Sequence, residues 1–143
     1  MKTKKMVSQR KLELQTIRYH KRRSAGLCTK CTKNKALHGR PVCMVCAEYY
    51  RKVSARSYEK AKNNCLDAYG HKCACCGEKT RKFLTFDHMF NNGAEHRRTV
   101  DSKSMPYWLV NNKFPDGFQV LCYNCNLGRD KNGGICPHKE NSQ

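Results

Sequence analysis

The sequence lacks the long apolar runs that signal peptides and membrane spans require. Residues 1–15 carry charge without a continuous apolar stretch, and no segment approaches the length of a membrane span. We therefore expect a cytoplasmic protein that is not secreted and has no membrane partner. Apolar residues make up 38% of the 143 residues, and the mean hydropathy is -0.86. A large buried core is not expected, so something other than apolar burial must stabilise the fold.

Acidic residues are also few. The chain has 11 Asp and Glu against 29 Lys and Arg, which gives a formal net charge of +18 at pH 7. Residues 1–62 hold 18 of the basic residues and three Glu, whereas residues 63–143 hold 11 basic and 8 acidic residues. A polyanion is therefore the predicted partner, with DNA as the foremost candidate and RNA as a further one. A basic solvated tail without a function is the alternative.

Cysteine, in contrast, is abundant, and most of it falls in C-x-x-C turns. Eleven cysteines at this density indicate either a disulfide framework or metal ligands. In a reducing compartment zinc is the better explanation, because two such turns complete a closed tetrahedron of thiolates. The spacing therefore predicts two structural Zn²⁺ sites, formed by Cys28, Cys31, Cys43 and Cys46 and by Cys73, Cys76, Cys122 and Cys125.

Three cysteines are left over from these two sites. Cys75 lies inside the third turn and could replace either neighbouring ligand by slippage, although the outer pair has the ordinary spacing. Cys65 and Cys136 have no evident partner, and buried free thiols would account for both. Cys136 and His138 are a candidate ligand pair, but a closed site needs four ligands. We therefore expect two zinc ions and no further zinc site at these residues.

The pattern of elements predicts a small, zinc-stabilised α+β protein in two parts. Residues 1–62 form a basic zinc module flanked by helices, with a basic helix over 6–23 and a second helix over 47–64, a stretch without Gly or Pro. We expect this part to bind nucleic acid through its charge rather than by reading sequence. The candidate contacts are Thr29, Lys30, Thr32, Lys33, Lys35 and His38.

Residues 63–143 form the second part. The predicted order is strand, polar loop with glycine, helix, strand, knuckle and helix, with strands over 83–86 and 118–121 and helices around 103–112 and 125–131. Closing the second zinc site brings residue 73 beside residue 125. The strand that carries Asp87 and the segment after Cys125 are therefore predicted to meet in one small unit, with zinc binding supplying much of the folding free energy.

Asp87 and His88 stand side by side at the end of the first predicted strand. Neighbouring side chains diverge along an extended chain, so these two can serve different points of one small substrate, one binding a metal and the other a water. An amide oxygen from Asn126, directly after Cys125, would give a hard, oxygen-rich site suited to Mg²⁺ or Mn²⁺. A hydrogen-bonded structural pair in a noncatalytic zinc domain is the alternative interpretation.

These residues together resemble the HNH endonucleases, also called ββα-metal nucleases. The resemblance covers about residues 70–138 and is carried by Cys73-x-x-Cys76, Asp87-His88 and Leu121-Cys122-x-x-Cys125-Asn126-x-x-Arg129. The chain is particularly similar to the small phage members that are braced by a zinc ion between two knuckles. The resemblance implies that residues 63–143 form a treble-clef-like HNH nuclease domain.

The resemblance also implies roles for individual residues. In such enzymes the acid of the D-H pair and a His or Asn at the start of the closing helix hold one divalent ion, and the histidine is the general base. Asp87 and Asn126 would then bind Mg²⁺ or Mn²⁺, and His88 would activate water against a phosphodiester. The chain departs from the family pattern at Gly117, where an Asn is usual. Asn111 or Asn112 is the candidate substitute that braces the loop.

Basic side chains near this site are candidates for binding phosphate. They are His96, Arg97, Arg98 and Arg129. The predicted function is therefore a metal-dependent DNA endonuclease. A noncatalytic, zinc-dependent nucleic-acid-binding or adaptor protein is the alternative.

Overall fold

A computed structural model describes residues 9–99 and 104–140 of the chain. Within these ranges the protein has six α-helices and one two-stranded sheet, which are α1 (Gln9–Ser24), α2 (Met44–Tyr69), β1 (Leu84–His88), α3 (Gly93–Thr99), α4 (Met105–Asn111), β2 (Phe118–Cys122), α5 (Tyr123–Lys131) and α6 (Pro137–Glu140). The expected small α+β protein is therefore confirmed. No helix in the described ranges combines the length and the apolar content that crossing a membrane requires.

The chain divides into two compact units, and the division falls inside α2. The first unit ends at Ala55 and the second begins at Arg56, whereas the sequence pattern predicts a change at residues 62 and 63. The helix continues through both points without Gly or Pro, so nothing in the local sequence marks a break.

The first unit is built around cysteines rather than around an apolar core. After α1 the chain turns back on itself through an isolated bridge between Leu27 and Lys35. Cys28 and Cys43 are buried. By contrast, α1 has no buried residue, and its apolar side chains are between 46% and 62% exposed at Leu12, Leu14 and Ile17. Burial of apolar surface therefore contributes little to this unit.

In the second unit the sheet and α5 surround a small core. β1 pairs with β2 in an antiparallel register that sets Asp87 opposite Gln119 and His88 opposite Phe118. His88 is buried, whereas Asp87 lies on the other side of the strand and is half-buried. Five of the eleven core residues are cysteines, namely Cys65, Cys73, Cys122, Cys125 and Cys136. The core is therefore small, as the low mean hydropathy predicts. It is also rich in sulfur.

Most predicted elements are confirmed within the described residues, with boundaries shifted by a few positions. The loop expected after β1 differs, because it contains α3. A helix of seven residues is not stable alone, and it is held by tertiary packing of His96 against Trp108, whose ring centroids are 4.2 Å apart. The local sequence pattern could not predict this helix, since its stability comes from a distant residue.

Candidate functional site

Two groups of four cysteines form the predicted clusters. In each group the four Sγ atoms lie within 4.8 Å of one another. The Sγ atoms of Cys31 and Cys43 are 3.8 Å apart, and those of Cys76 and Cys122 are 3.7 Å apart. Tetrahedral Zn²⁺ with Zn–S bonds of about 2.3 Å separates its sulfurs by about 3.8 Å. Both predicted tetrads could therefore hold a zinc ion.

Each tetrad contains a cysteine whose surroundings favour the thiolate. Burial opposes ionisation of Cys28, but backbone N–H groups of the paired turns lower its pKa to about 6. Burial also opposes ionisation of Cys73, and backbone N–H groups of its turns lower that pKa to about 6 as well. The thiolate is the form that binds metal. In the same tetrads burial raises the pKa of Cys46 and of Cys125, so a bound cation would be needed to keep all four thiols of each tetrad as thiolates.

A cleft of about 600 Å³ lies in the second unit beside the end of β1. The three predicted catalytic residues, Asp87, His88 and Asn126, all line this cleft. The second tetrad explains why Asn126 is here. Cys122 is the last residue of β2 and the N-cap of α5, and its Sγ accepts a hydrogen bond from the backbone N–H of Cys125 at 3.4 Å. Asn126 is the next residue of this helix.

The Asp87 carboxylate is anchored from two sides. Gln119 donates from Nε2 to Oδ2 at 2.9 Å, as their positions opposite each other in the sheet allow. Arg129 forms an ion pair with the same oxygen, and both side chains of this pair are 14% exposed. Because the bonds described for the carboxylate end on Oδ2, the lone pairs of Oδ1 remain for another ligand.

Arg129 has a different environment from the phosphate contact that the sequence suggests. Its guanidinium donates to the carbonyl oxygens of His88 at 2.7 Å, Met89 at 2.5 Å and Gly134 at 2.8 Å, in addition to Asp87. The side chain therefore connects α5 to the end of β1 and to the loop that follows it. Four of its five N–H donors bond to other groups of the protein, although the side chain also lines the cleft.

Arg129 braces the loop after β1 through the Met89 carbonyl, whereas Asn112, one of the two residues suggested for that role, bonds within its own helix. The Asn112 side chain donates to the Trp108 carbonyl of its own helix at 2.8 Å. Gly117, which stands where the family pattern has Asn, has φ of +90°, and a Cβ there would meet the Phe90 ring at 3.3 Å. Both the backbone conformation and the space therefore favour glycine at this position.

His88 is 7% exposed and pairs with a second histidine. Its Nε2 lies 2.8 Å from Nδ1 of His96, and its ring centroid is 4.7 Å from that of Phe118. Burial is the main cause that lowers the pKa of His88, and repulsion from His96 adds to it against the opposing effect of Asp87. A lowered pKa keeps the ring neutral near pH 7, and a neutral imidazole can accept a proton.

The other ring nitrogen of His88 lies close to the start of α3. A Cβ built on Gly93 would be 3.1 Å from Nδ1 of His88, and Gly93 also lines the cleft. With Nε2 bonded to His96, Nδ1 is the nitrogen that remains for a water or a substrate. The absence of a side chain at Gly93 keeps the approach to it open.

The three basic residues of α3 take different positions. Arg97 lines the cleft. His96 packs inward between His88 and Trp108, and Arg98 is exposed. Of the three predicted phosphate contacts on α3, Arg97 therefore has the position that fits that role, whereas His96 supports the His88 ring.

In the first unit most of the predicted nucleic-acid contacts lie at the surface. The exposed ones are Lys30, Thr32, Lys33, Lys35 and His38. The Lys30 ammonium is 5.3 Å from the centroid of the Tyr50 ring, a cation–π distance. Thr29 has a structural role, since its hydroxyl donates to the Pro41 carbonyl at 2.9 Å.

The three leftover cysteines have two different environments. Cys65 is the buried free thiol that the sequence suggests, because its Sγ donates to the Pro106 carbonyl at 3.5 Å and burial raises its pKa to about 11. Cys75 and Cys136 instead meet Cys125 and His138 in a third group of four potential ligands. The sequence contained a signal for this group in the extra cysteine of the third turn, but not the contact that links it to Cys136.

Comparison with models of protein families, with curated proteins and with solved structures found no match to this chain.

Proposed function

We propose that this protein is a metal-dependent endonuclease of the HNH type that hydrolyses phosphodiester bonds in DNA. The observation that carries the proposal is the convergence of Asp87, His88 and Asn126 on one cleft, next to a cysteine tetrad that could hold zinc. These three residues come from two distant segments of the chain. Agreement among several independent site elements is a stronger argument for catalysis than any one of them.

The donor set of the cleft fits a hard divalent cation. Asp87 has a carboxylate oxygen beyond its bonds to Arg129 and Gln119, and Asn126 can contribute an amide oxygen. Oxygen ligands of this kind suit Mg²⁺ or Mn²⁺. When bound by these residues, the ion would supply a positive charge that stabilises the extra negative charge on phosphate in the transition state.

His88 is the general base in this proposal. Its Nε2 is held by His96, so the ring has a fixed orientation and Nδ1 can take the proton from a water that attacks phosphorus. His96 is a positioning residue because it acts through the His88 ring. Arg97, which also lines the cleft, would neutralise a phosphate oxygen of the same strand.

The basic first unit would supply affinity for the nucleic acid. Its exposed Lys30, Lys33 and Lys35 can contact backbone phosphates, and such contacts release counterions without reading the base sequence. The positive charge of this unit fits a polyanion in general, so RNA remains the second nucleic-acid substrate to test.

Nicking of supercoiled plasmid DNA by untagged full-length protein tests the proposal. We expect Mg²⁺-dependent conversion to the open-circle form, and a loss of about 10²- to 10⁴-fold in rate for His88→Ala, as is typical when a general base is removed. Asn126→Ala should raise the Mg²⁺ concentration needed for half-maximal rate. His71→Ala is the matched control, because His71 is an exposed histidine of the same unit. Cleavage that persists unchanged in both purified site variants would refute the assignment.

The same residues support a second candidate, a noncatalytic zinc-dependent nucleic-acid-binding protein. The observation that favours it is the ion pair of Asp87 with Arg129, since a carboxylate used to brace a loop need not bind a metal. This candidate predicts that DNA binding is retained without nicking at any Mg²⁺ or Mn²⁺ concentration. The plasmid assay, run beside a binding measurement on the same preparation, separates the two candidates.

A further inference from the structure

The third group of potential ligands surrounds a point next to the second tetrad. It comprises Cys75, Cys125, Cys136 and His138, whose ligand atoms lie within 4.8 Å of one another. Cys125 belongs to the second tetrad as well. Two complete sets of four ligands therefore share one sulfur, which is fully buried.

The two distances from His138 to sulfur have the values that a tetrahedral metal site requires. Nδ1 of His138 lies 3.4 Å from Sγ of Cys125 and 3.5 Å from Sγ of Cys136. For Zn–S bonds of about 2.3 Å and Zn–N bonds of about 2.0 Å, a tetrahedral angle separates N from S by about 3.5 Å. One imidazole nitrogen at this distance from two sulfurs is the arrangement expected for two edges of a coordination tetrahedron.

The packing of the chain holds the C-terminal ligands in place. A Cβ on Gly128 would lie 3.1 Å from Cδ of Pro137, so a glycine in α5 allows the segment between Cys136 and His138 to approach this helix closely. Arg129, the next residue, also bonds the Gly134 carbonyl at 2.8 Å. Cys136 is buried although it is only a few residues from the end of the described chain.

We propose that Cys75, Cys125, Cys136 and His138 bind a third zinc ion, and that the Cys125 thiolate bridges it to the zinc ion of the second tetrad. The resulting binuclear centre has six thiolates and one neutral imidazole around two Zn²⁺. A thiolate has more than one lone pair, so one sulfur can bind two cations. The centre would join the turn at Cys75, the start of α5 and the C-terminal segment around one buried sulfur. This inference does not depend on the proposed nuclease function.

Zinc analysis of the untagged full-length protein tests the number of ions. We expect three zinc ions per chain in the wild type and two in Cys136→Ser and in His138→Ala. Cys65→Ala is the matched control, because Cys65 is a buried cysteine of the same core outside all three groups, and it should retain three. His138 is exposed, so its variant reports on the site even if Cys136→Ser does not fold. Two zinc ions in the wild type, or three in His138→Ala, would overturn the third site.

Cadmium NMR tests the bridge. In protein loaded with ¹¹³Cd²⁺ we expect three resonances, two of which are split by coupling through the shared thiolate, while the resonance of the first tetrad is a singlet. His138→Ala should remove one member of the coupled pair and turn the other into a singlet. Three uncoupled resonances in the wild type would show that Cys125 is not shared, and the bridging proposal would then be wrong.

Discussion

The two units of the protein contain the same kind of cysteine tetrad in opposite surroundings. The first unit has 15 basic and two acidic residues, and its helix α1 has no buried residue. The second has 14 basic and nine acidic residues and a core in which Leu66, Leu84, Leu109 and Val120 are almost completely buried. One kind of cysteine cluster is therefore used in two ways. In the first unit it replaces a core, whereas in the second it fixes the position of side chains that line a cleft.

Under the proposed function, the difference has a physical basis in the role of each unit. A surface that binds a polyanion needs many exposed positive charges, and these cannot be buried in a core. A catalytic site needs side chains fixed to within fractions of an ångström, which requires packing around them. The first unit can therefore consist of surface with one cluster at its centre, but the second cannot.

The largest difference between the units should appear when one ligand of each tetrad is removed. Cys31→Ser should abolish amide hydrogen-exchange protection over residues 27–43, because the first unit has no other core there. Cys76→Ser should leave substantial protection at Leu66 and Val120, which the apolar core retains. Exchange measured by mass spectrometry, with zinc analysis of each variant, checks both. Equal loss in the two variants would show that the apolar core adds nothing to the second unit.

Removal of the Arg129 brace should have the next largest effect. Arg129→Gln leaves the Asp87 carboxylate without its cation and frees three carbonyl groups. We expect a loss of about 2–3 kcal/mol in the free energy of unfolding, since both partners are largely buried. Denaturant titration measures it. Arg98→Gln, an exposed arginine of the same unit, should change stability by less than about 0.5 kcal/mol. If the two variants were equally stable, the brace would have no energetic role.

A smaller effect is expected when charge is removed from the first unit. Replacing Lys30, Lys33 and Lys35 together by Gln should reduce the slope of log affinity against log salt concentration by about 2–3, because each lost phosphate contact removes about 0.9. Fluorescence anisotropy with duplex DNA gives the slope. The matched variant replaces three exposed lysines of the second unit, Lys72, Lys79 and Lys82. A similar drop in that variant would mean that the first unit is not the preferred binding surface.

The smallest effect concerns the fit around His88. Gly93→Ala places a Cβ 3.1 Å from Nδ1 of His88, and the ring must move by a few tenths of an ångström. We expect the nicking rate to fall about tenfold or less, with DNA affinity unchanged, because small displacements of a catalytic group reduce the rate of reaction rather than binding. Ala94→Gly, which changes the next residue on the cleft without adding a side chain, is the control. A loss of affinity in Gly93→Ala would point to a contact with DNA instead.

Several features of the fold could be predicted because they follow from local spacing. The C-x-x-C turns identify both tetrads, since two thiolates on one tight turn can reach one ion wherever the turn lies. The predicted strands over 83–86 and 118–121 and the predicted helices around 103–112 and 125–131 correspond to elements that are formed largely by neighbouring residues. Asp87 and His88 could also be identified as neighbours that diverge, because alternation along a strand is a local property.

The sequence by itself therefore determined the basic charge, the two cysteine tetrads, the main elements and the candidate residues Asp87, His88 and Asn126. Only the tertiary structure decided that Arg129 braces Asp87, that His96 holds His88 and stabilises α3, and that Cys75, Cys136 and His138 meet at Cys125. The physical reason is the same in each case. These contacts join residues far apart in the chain, so their distances depend on how the packed elements approach one another, and local spacing contains no information about that.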